Sequence, residues 1–417
     1  MTDVDTLEPT PTPRRLAVRV TKDAARQIRG GHPWVFEQSI TSLKPAGVAG
    51  DLAVVFDESR EFMAIGLYDP DSAIRIKILH AGKPVQIDET FWTGRLTAAR
   101  DVRTAAFDPT HTTGYRCVHG ENDGLPGLVL DRYADTLVLK LYSDAWLAHL
   151  DVLVECIRDV FAPEALVLRL SRSMQQSAST RGATLSDGHA LIGEAPVAPV
   201  PFIENDLRFE ADVVHGQKTG FFLDQRDNRA RVRTLAQGCR VLDLFCCTGG
   251  FSVNAAAGAA TLVHSVDISS AATAATKRNM ARNGGRAAVR SCTHQVSTGD
   301  AMTVMSQMID TGRVFDLVIV DPPSFASRQN QIEGALRAYG RLTELAVQLL
   351  VPGGMLVQAS CSARVTTEQF LETVGDAAYR MGVRLDGMSH TTNAVDHPVS
   401  FAQGGYLKAI FARVDPS

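Results

Sequence analysis

No apolar run in the chain approaches the roughly 18 residues needed to span a bilayer. The first 13 residues are acidic and Thr/Pro-rich and lack the apolar core of a secretion signal. The expectation is a cytoplasmic protein with no membrane contact. Paired cysteine spacing is also missing. The seven cysteines, Cys117, Cys156, Cys239, Cys246, Cys247, Cys292 and Cys361, include no C-x-x-C pair, which argues against a disulfide framework or a zinc site and predicts no metal. Nor is there a cationic excess: 42 Lys and Arg stand against 46 Asp and Glu, a formal charge of −4. Nucleic acid, if bound, must therefore meet a local patch rather than an overall field. No internal repeat is visible.

What remains is ordinary globular composition, 45% apolar and 21% charged over 417 residues, enough for two to three domains. Residues 1–13 read as a disordered tail. Over 14–84, six basic residues (Arg14, Arg15, Arg19, Lys22, Arg26, Arg29) face the single acid Asp23 before Gly30. Thr21 is placed to cap a short helix there. The patch continues into His32-Pro-Trp34, and short alternating strands follow at 52–56, 63–67 and 74–79. This is a small β-barrel whose basic face is either solvated or RNA-binding, with Arg26, Arg29, His32 and Trp34 as the RNA-contact candidates. Residues 85–212 read as a connecting helix and a small α/β middle domain. That segment ends in a hairpin around Glu204-Asn-Asp206.

From 213 to 417 apolar runs of four to seven residues alternate with segments of helical period, the signature of a Rossmann-like α/β domain. Strands are expected at 240–245, 262–266, 316–320, 354–359 and 406–413. A helix is expected over 270–282, capped by Ser269. The run Asp243-Leu-Phe245-Cys-Cys-Thr248-Gly249-Gly is a strand, a small-residue turn and a helix start, which lets a ligand approach the backbone. Asp267 ends the next strand, placed for ribose hydroxyls, and Asp300 follows where a third strand should end, within reach of an adenine amine. Three acids at consecutive strand ends point to an adenosine ligand. The dinucleotide spacing G-x-G-x-x-G is absent, and Asp243 would repel a pyrophosphate. The sulfonium and ammonium of S-adenosylmethionine (SAM) suit that acid.

Asp321-Pro-Pro-Ser-Phe325 closes an apolar strand and aims a carboxylate into the same crevice. Taken alone it permits methylation of an amine or of a carbon. Cys361 shifts the balance toward carbon, because it lies past a strand end, between Ser360 and Ser362, just before a helix capped by Thr366 or Thr367. There the helix dipole favours thiolate. A thiolate is what cytosine C5 requires: addition at C6 makes C5 enamine-like, and Asp321 can stabilise the charge at N3. Cys246 and Cys247, inside the cofactor turn, read as small fillers.

Gly30-Gly-His-Pro-Trp-Val-Phe36, Glu121-Asn-Asp-Gly-Leu-Pro-Gly127, the 14 residues from Gly216 to Arg229, the cofactor turn, Asp321–Phe325, Ser360-Cys-Ser362 and Asp396-His-Pro-Val-Ser400 together resemble RlmI-type class I SAM-dependent rRNA methyltransferases. The resemblance runs from about Arg14 to Val414. It implies an N-terminal PUA domain, a middle domain and a Rossmann-like domain acting on 23S rRNA or its large-subunit precursor to make 5-methylcytosine. It also implies that Phe222, Gln225 and Arg226 lie against the cofactor with Asp243, Phe245, Thr248, Gly249, Asp267, Asp300 and Asp321. One departure stands out: many RNA cytosine-5 enzymes carry a second cysteine where this chain has Ser324, so the base that removes the C5 proton is unassigned. Two other readings stay open here, an rRNA guanine methyltransferase with a structural Cys361 and a non-catalytic RNA-binding assembly factor. A homodimer is compatible with the sequence, which does not specify an oligomeric state.

Overall fold

The computed structural model describes residues 13–181, 185–326 and 328–416. The tail expected over 1–13 thus lies, but for Pro13, outside the described residues. No described helix is long and apolar enough to cross a membrane. The chain divides into two compact units. One comprises residues up to Asp108 with Gly114–Val200 and Ala211–Gly220. The other comprises Pro109–Thr113, Pro201–Glu210 and Phe221 onward.

The first unit holds two sheets. Six strands pair in the order Trp34–Phe36, Ile74–Ala81, Phe62–Tyr68, Leu52–Phe56, Arg15–Val20, Ile40–Lys44. The strand Arg15–Val20 lies within what reads in the sequence as a basic run. Its alternation explains this, since Leu16, Val18 and Val20 are fully buried while Arg15, Ala17 and Arg19 face out. Thr21 caps the helix Lys22–Arg29, which stops at Gly30 as expected. The second sheet has five strands in the order Ala190–Ile192, Ala165–Leu170, Thr136–Leu141, Leu128–Tyr133, Gly114–His119. The helices Glu89–Ala106 and Leu150–Phe161 pack together, with Trp92 and Trp146 in ring contact at 5.4 Å.

The second unit is built on seven strands: β1 (Arg240–Leu244), β2 (Leu262–Asp267), β3 (Thr293–Thr298), β4 (Phe315–Val320), β5 (Leu350–Ser360), β6 (Val383–Thr391) and β7 (Lys408–Pro416). They pair in the order β3-β2-β1-β4-β5-β7-β6, parallel except for β7, which runs antiparallel to β5 and β6. The longer helices are α1 (Arg226–Leu235), α2 (Gly250–Ala257), α3 (Ser270–Arg282), α4 (Ala301–Asp310), α5 (Ile332–Gln348) and α6 (Thr367–Arg380), and a short helical stretch, Ala287–Ser291, follows α3. Ser269 caps α3 and Asn283 ends it, as the sequence predicts. β1 and β4 are apolar and buried along most of their length because the sheet is covered on both faces.

The hairpin Val200–Glu204 and Leu207–Ala211 turns at Asn205 and Asp206, both at positive φ. The sequence reading ends the middle segment with it, but residues 201–210 pack with the second unit. Ion pairs are the reason. Glu204, 1% exposed, accepts a bidentate pair from Arg229 of α1 at 2.7 and 2.6 Å and lies 3.8 Å from Arg226. Glu210 accepts from Arg278 and Arg282 of α3. Removing one partner of a buried pair leaves the others uncompensated in a poor dielectric. Glu204→Ala is therefore expected to destabilise the protein by about 3–5 kcal/mol. Urea unfolding measures this, and a loss below about 1 kcal/mol would show that the carboxylate does not anchor the hairpin.

Candidate active site

Register brings the candidate residues to one edge. Leu244 lies opposite Val266 and Val320, and Val320 lies opposite Gln358. Phe245, Asp267, Asp321 and the chain beyond Ala359 therefore emerge side by side at the carboxyl ends of parallel strands, where open α/β sheets take ligands.

The turn from β1 to α2 holds Phe245 (φ 59°), Cys247 (φ 50°) and Gly249 (φ 81°) in the left-handed region. For the two non-glycine residues this costs about 1–3 kcal/mol each, so the surroundings must restrain them. Cys247 N donates to Asp267 Oδ2 at 2.9 Å, Thr276 Oγ1 donates to Cys247 O at 2.9 Å, and Asn279 Nδ2 donates to Thr248 O at 2.9 Å. A Cβ on Gly249 would meet Thr276 Cγ2 at 2.6 Å, so glycine is required for space as well as for φ. No side chain caps α2, which leaves its first amides to an anionic ligand group such as a carboxylate.

Asp243 is fully buried next to this turn. Ser252 Oγ donates to its Oδ2 at 2.5 Å, whereas Oδ1, also buried, meets no donor among the described residues. Burial, opposed by the Ser252 hydrogen bond and reinforced by the charge of Asp321, pushes its pKa up to about 7. An orphaned carboxylate oxygen at this edge is what a cationic ligand would satisfy, so the residues present fit SAM. Asp267 is half-buried, and besides Cys247 N it accepts from Ser269 N at 2.9 Å. Its oxygens keep further lone pairs for ribose hydroxyls. Asp300 is exposed and caps α4, accepting from Thr303 N and Oγ1 at 2.9 Å each.

Residues 222–229 divide into two tasks. Gln225, buried, donates from Nε2 to Asp321 Oδ1 at 3.0 Å. It is oriented by Asn228, whose Nδ2 donates to Gln225 Oε1 at 2.6 Å and whose Oδ1 accepts from Thr391. A relay of side chains thus fixes the Asp321 carboxylate. Phe222 is half-buried and its carbonyl accepts from Arg229 at 2.8 Å. Arg226 departs from the expectation of a cofactor contact. It is 1% exposed and forms a bidentate pair with Asp396 at 2.7 and 3.0 Å, which gives it an internal anchoring task. Against the burial that would raise it, Arg226 and His397 hold the Asp396 carboxyl well below the usual range.

Cys361 is half-exposed, and its thiol points to Pro322 O at 3.9 Å. The buried hydroxyls on either side set its position. Ser360 Oγ donates to Tyr339 OH at 2.8 Å, and Tyr339 OH pairs with Ser362 Oγ at 2.8 Å. Ser362 Oγ in turn accepts from Phe325 N at 3.1 Å and Ala326 N at 3.3 Å and pairs with Ser324 Oγ at 3.2 Å. The Asp321–Phe325 loop and the Ser360–Ser362 loop are therefore one hydrogen-bonded body. Thr366 caps α6 immediately beyond.

Sequence reasoning missed Lys408, Tyr339 and the Asn228 relay. Lys408, 4% exposed at the start of β7, donates to Ser362 O at 2.8 Å and to Val365 O, so its ammonium is buried under the cysteine loop. Burial lowers its pKa to about 8, against the opposing pull of Cys361. A lysine flanked by Leu407 and Ala409-Ile-Phe411 was the available signal. Cys246 and Cys247 fill the turn, and burial raises both thiols, Cys247 to about 11. Among the described residues no group of three or more His, Cys, Asp or Glu side chains is arranged to hold a metal ion.

In the first unit, Trp34 Nε1 donates to Glu121 Oε1 at 2.9 Å, joining two of the motifs singled out in the sequence. His32 packs edge-on against Trp34 at 5.6 Å. Arg26 pairs with Asp23, and Arg29 pairs with Asp57 at 2.9 Å, so acids temper the expected basic face.

The profile of the S-adenosylmethionine-dependent methyltransferases matches residues 116–404, and that of a PUA-like domain matches 18–81. A ribosomal RNA large subunit methyltransferase of Deinococcus radiodurans is 47% identical over 96% of this chain and 98% of its own length. The ribosomal RNA large subunit methyltransferase I of Shewanella denitrificans is 35% identical over 96% and 99%. A solved structure assigned as a methyltransferase, complexed with SAH, superposes with a TM-score of 0.81 over 95% of this chain and 99% of that one. Its 20% identity speaks to the fold alone.

Asp243 generates a pH prediction. Below about pH 7 the ligand-free carboxyl carries a proton, which a cation must displace on binding. SAM affinity is therefore expected to fall as pH drops from 8 to 6, by up to about tenfold per unit below the pKa. In Asp243→Asn it should be weaker and flat over that window. Calorimetric titration across pH checks this, and a wild-type profile as flat as the variant's would remove Asp243 from the cofactor site.

Proposed function

The chain belongs to the S-adenosylmethionine-dependent methyltransferase family and carries a PUA-like domain, and from that premise we propose that it methylates C5 of a cytosine in large-subunit (23S) rRNA through a covalent adduct on Cys361. The names of its full-length relatives support the substrate class. The observation that carries the chemistry is the half-exposed Cys361 thiol, fixed beside the Asp321-Pro322 loop by Tyr339 and two buried serines.

SAM, when bound, supplies an electrophilic methyl on sulfonium. Asp243, Phe245, Thr248, Gly249, Asp267 and Asp300, with Phe222 and Gln225, are the residues we assign to hold it. The Cys361 thiolate adds to C6 of cytosine, forming a C–S bond and pushing electron density to C5 and N3. Lys408 lends positive charge under the loop and α6 directs its N-terminus there, both favouring the thiolate. Asp321, fixed by Gln225, shares a proton with N3 as charge gathers there. C5 would form the new carbon–carbon bond as the methyl–sulfonium bond breaks and the neutral thioether leaves; C5 then loses its proton to a base, and the C6–S bond breaks to release Cys361 as the thiolate. Ser324, hydrogen-bonded to Ser362, stands where a second cysteine would assist release in related chemistry. Arg26, Arg29, His32 and Trp34 of the PUA-like domain are the proposed first RNA contacts, in a cytoplasmic setting.

A C5 adduct has a specific trap. RNA carrying 5-fluorocytosine at the target is expected to form a stable complex with wild type, because fluorine blocks the final elimination. Cys361→Ala should form none and lose turnover while still binding SAM. Gel mobility under denaturing conditions and nucleoside analysis read both outcomes. Full methylation by Cys361→Ala would overturn the nucleophile, and a methylguanine product would overturn the proposed reaction.

A further inference from the structure

Arg278, Arg282, Arg286 and Arg290 recur at every fourth position with Lys277 beside them, and no acid lies between 277 and 290. In a chain of formal charge −4 this is a local concentration of one sign that neither cofactor nor thiol chemistry uses. The structure sets it against the hairpin. Arg208 N donates to Asn283 Oδ1 at 3.0 Å and Asn283 Nδ2 returns to Arg208 O at 2.7 Å. One residue pair along, Glu210 N donates to Asn279 Oδ1 at 2.9 Å. Side-chain amides of α3 and of the residue that ends it thus serve the strand as a neighbouring strand would, and they hold its arginine on a rigid frame.

An open groove of about 420 Å³ lies here, lined by Arg208, Arg282 and Arg286 with Asn283, Ile203 and Asp206 among others. Its charges are only partly answered. The exposed Arg208 guanidinium has no partner among the described residues, Arg286 donates to the backbone carbonyl of Asp206, and Arg282 shares the single carboxylate of Glu210 with Arg278. Asp206, the acid of the lining, is itself paired with His111. Among the described residues no aromatic side chain lines the groove, so it offers charge and fork-shaped donors. The 13 residues of α3 span about 20 Å. The groove lies at the last turn of that helix, whereas its first turn follows Asp267 at the cofactor edge.

We infer that this groove is a second RNA-anchoring site, binding phosphodiester groups of the substrate about one helix length from the cofactor edge; it rests on the rRNA reading above. Phosphate contacts of this kind orient the RNA without reading its sequence. The test compares wild type, Arg208→Ser/Arg286→Ser and Arg208→Glu/Arg286→Glu in binding a large-subunit rRNA transcript at several salt concentrations. Both double variants are expected to lose at least about tenfold in affinity at low salt, and the salt slope should fall by roughly 1.4, about 0.7 per phosphate contact. SAM affinity and melting temperature should stay at wild-type values, and Arg208→Lys/Arg286→Lys should recover most of the binding. Wild-type affinity and slope in both double variants would overturn the anchor while leaving the rRNA reading intact. A parallel loss of SAM affinity in both would overturn it as well, by showing damage to the fold. Failure of wild type to bind the transcript would overturn the rRNA reading itself, and the anchor with it.

Discussion

Parallel pairing constrains everything else in the second unit. Strands that run the same way must end on the same side, and the register of β1, β2, β4 and β5 makes them end level. An acid or a thiol placed just past each strand therefore reaches a shared crevice whatever the sequence distance between them. Asp243 and Cys361 are 118 positions apart in the chain yet belong to one edge. The cost is electrostatic: Asp243, Asp267 and Asp321 crowd together, and burial raises the Asp243 carboxyl. The same crowding creates affinity for a cationic ligand, so a locally unfavourable arrangement without ligand becomes a selective one with it.

Three cysteines at this edge meet different environments. Cys246 and Cys247 sit in the strained turn, and burial raises both thiols away from the reactive range. Cys361 differs in what surrounds it. Hydroxyls of Ser360, Ser362 and Tyr339 are joined by hydrogen bonds beneath it, Lys408 is buried under its loop, and a capped helix begins six residues on. These groups fix its loop and place one ammonium beneath it, which supports the thiolate role proposed for it.

Much of this was legible in the sequence, for identifiable reasons. Short apolar runs ending in an acid announced β1, β2 and β4, and Ser269 and Asn283 bounded α3 to the residue. β3 and β6 were weaker signals because both are largely exposed and polar at the margins of the sheet. Arg15–Val20 was masked by its own arginines, which suggested a patch when their alternation meant a strand. Within the site, residues at strand ends were readable and residues acting through others were not. Arg226 belongs to a motif that resemblance placed at the cofactor, yet its partner Asp396 lies 170 positions away and claims both ends of its fork. Long-range pairing of that kind leaves no local pattern to read.

The distribution of charge follows the same logic. Composition excludes an overall cationic field, and the first local basic run lies at 14–29. Folding brings acids from elsewhere to that run: Asp51 to Arg14, Glu58 to Lys22 and Asp57 to Arg29. At 277–290 folding does the reverse, adding Arg208 to five basic residues and, among the described residues, supplying Glu210 and Asp206 to offset them. A basic stretch in one dimension thus says little about the field in three until the residues opposite it are known. In the pairs of the first run the cations stay exposed while Asp51 and Asp57 are largely buried, so part of the run's charge is already answered. A partly uncompensated groove has less to give up on binding, and it therefore holds an advantage over a patch whose charges are already engaged.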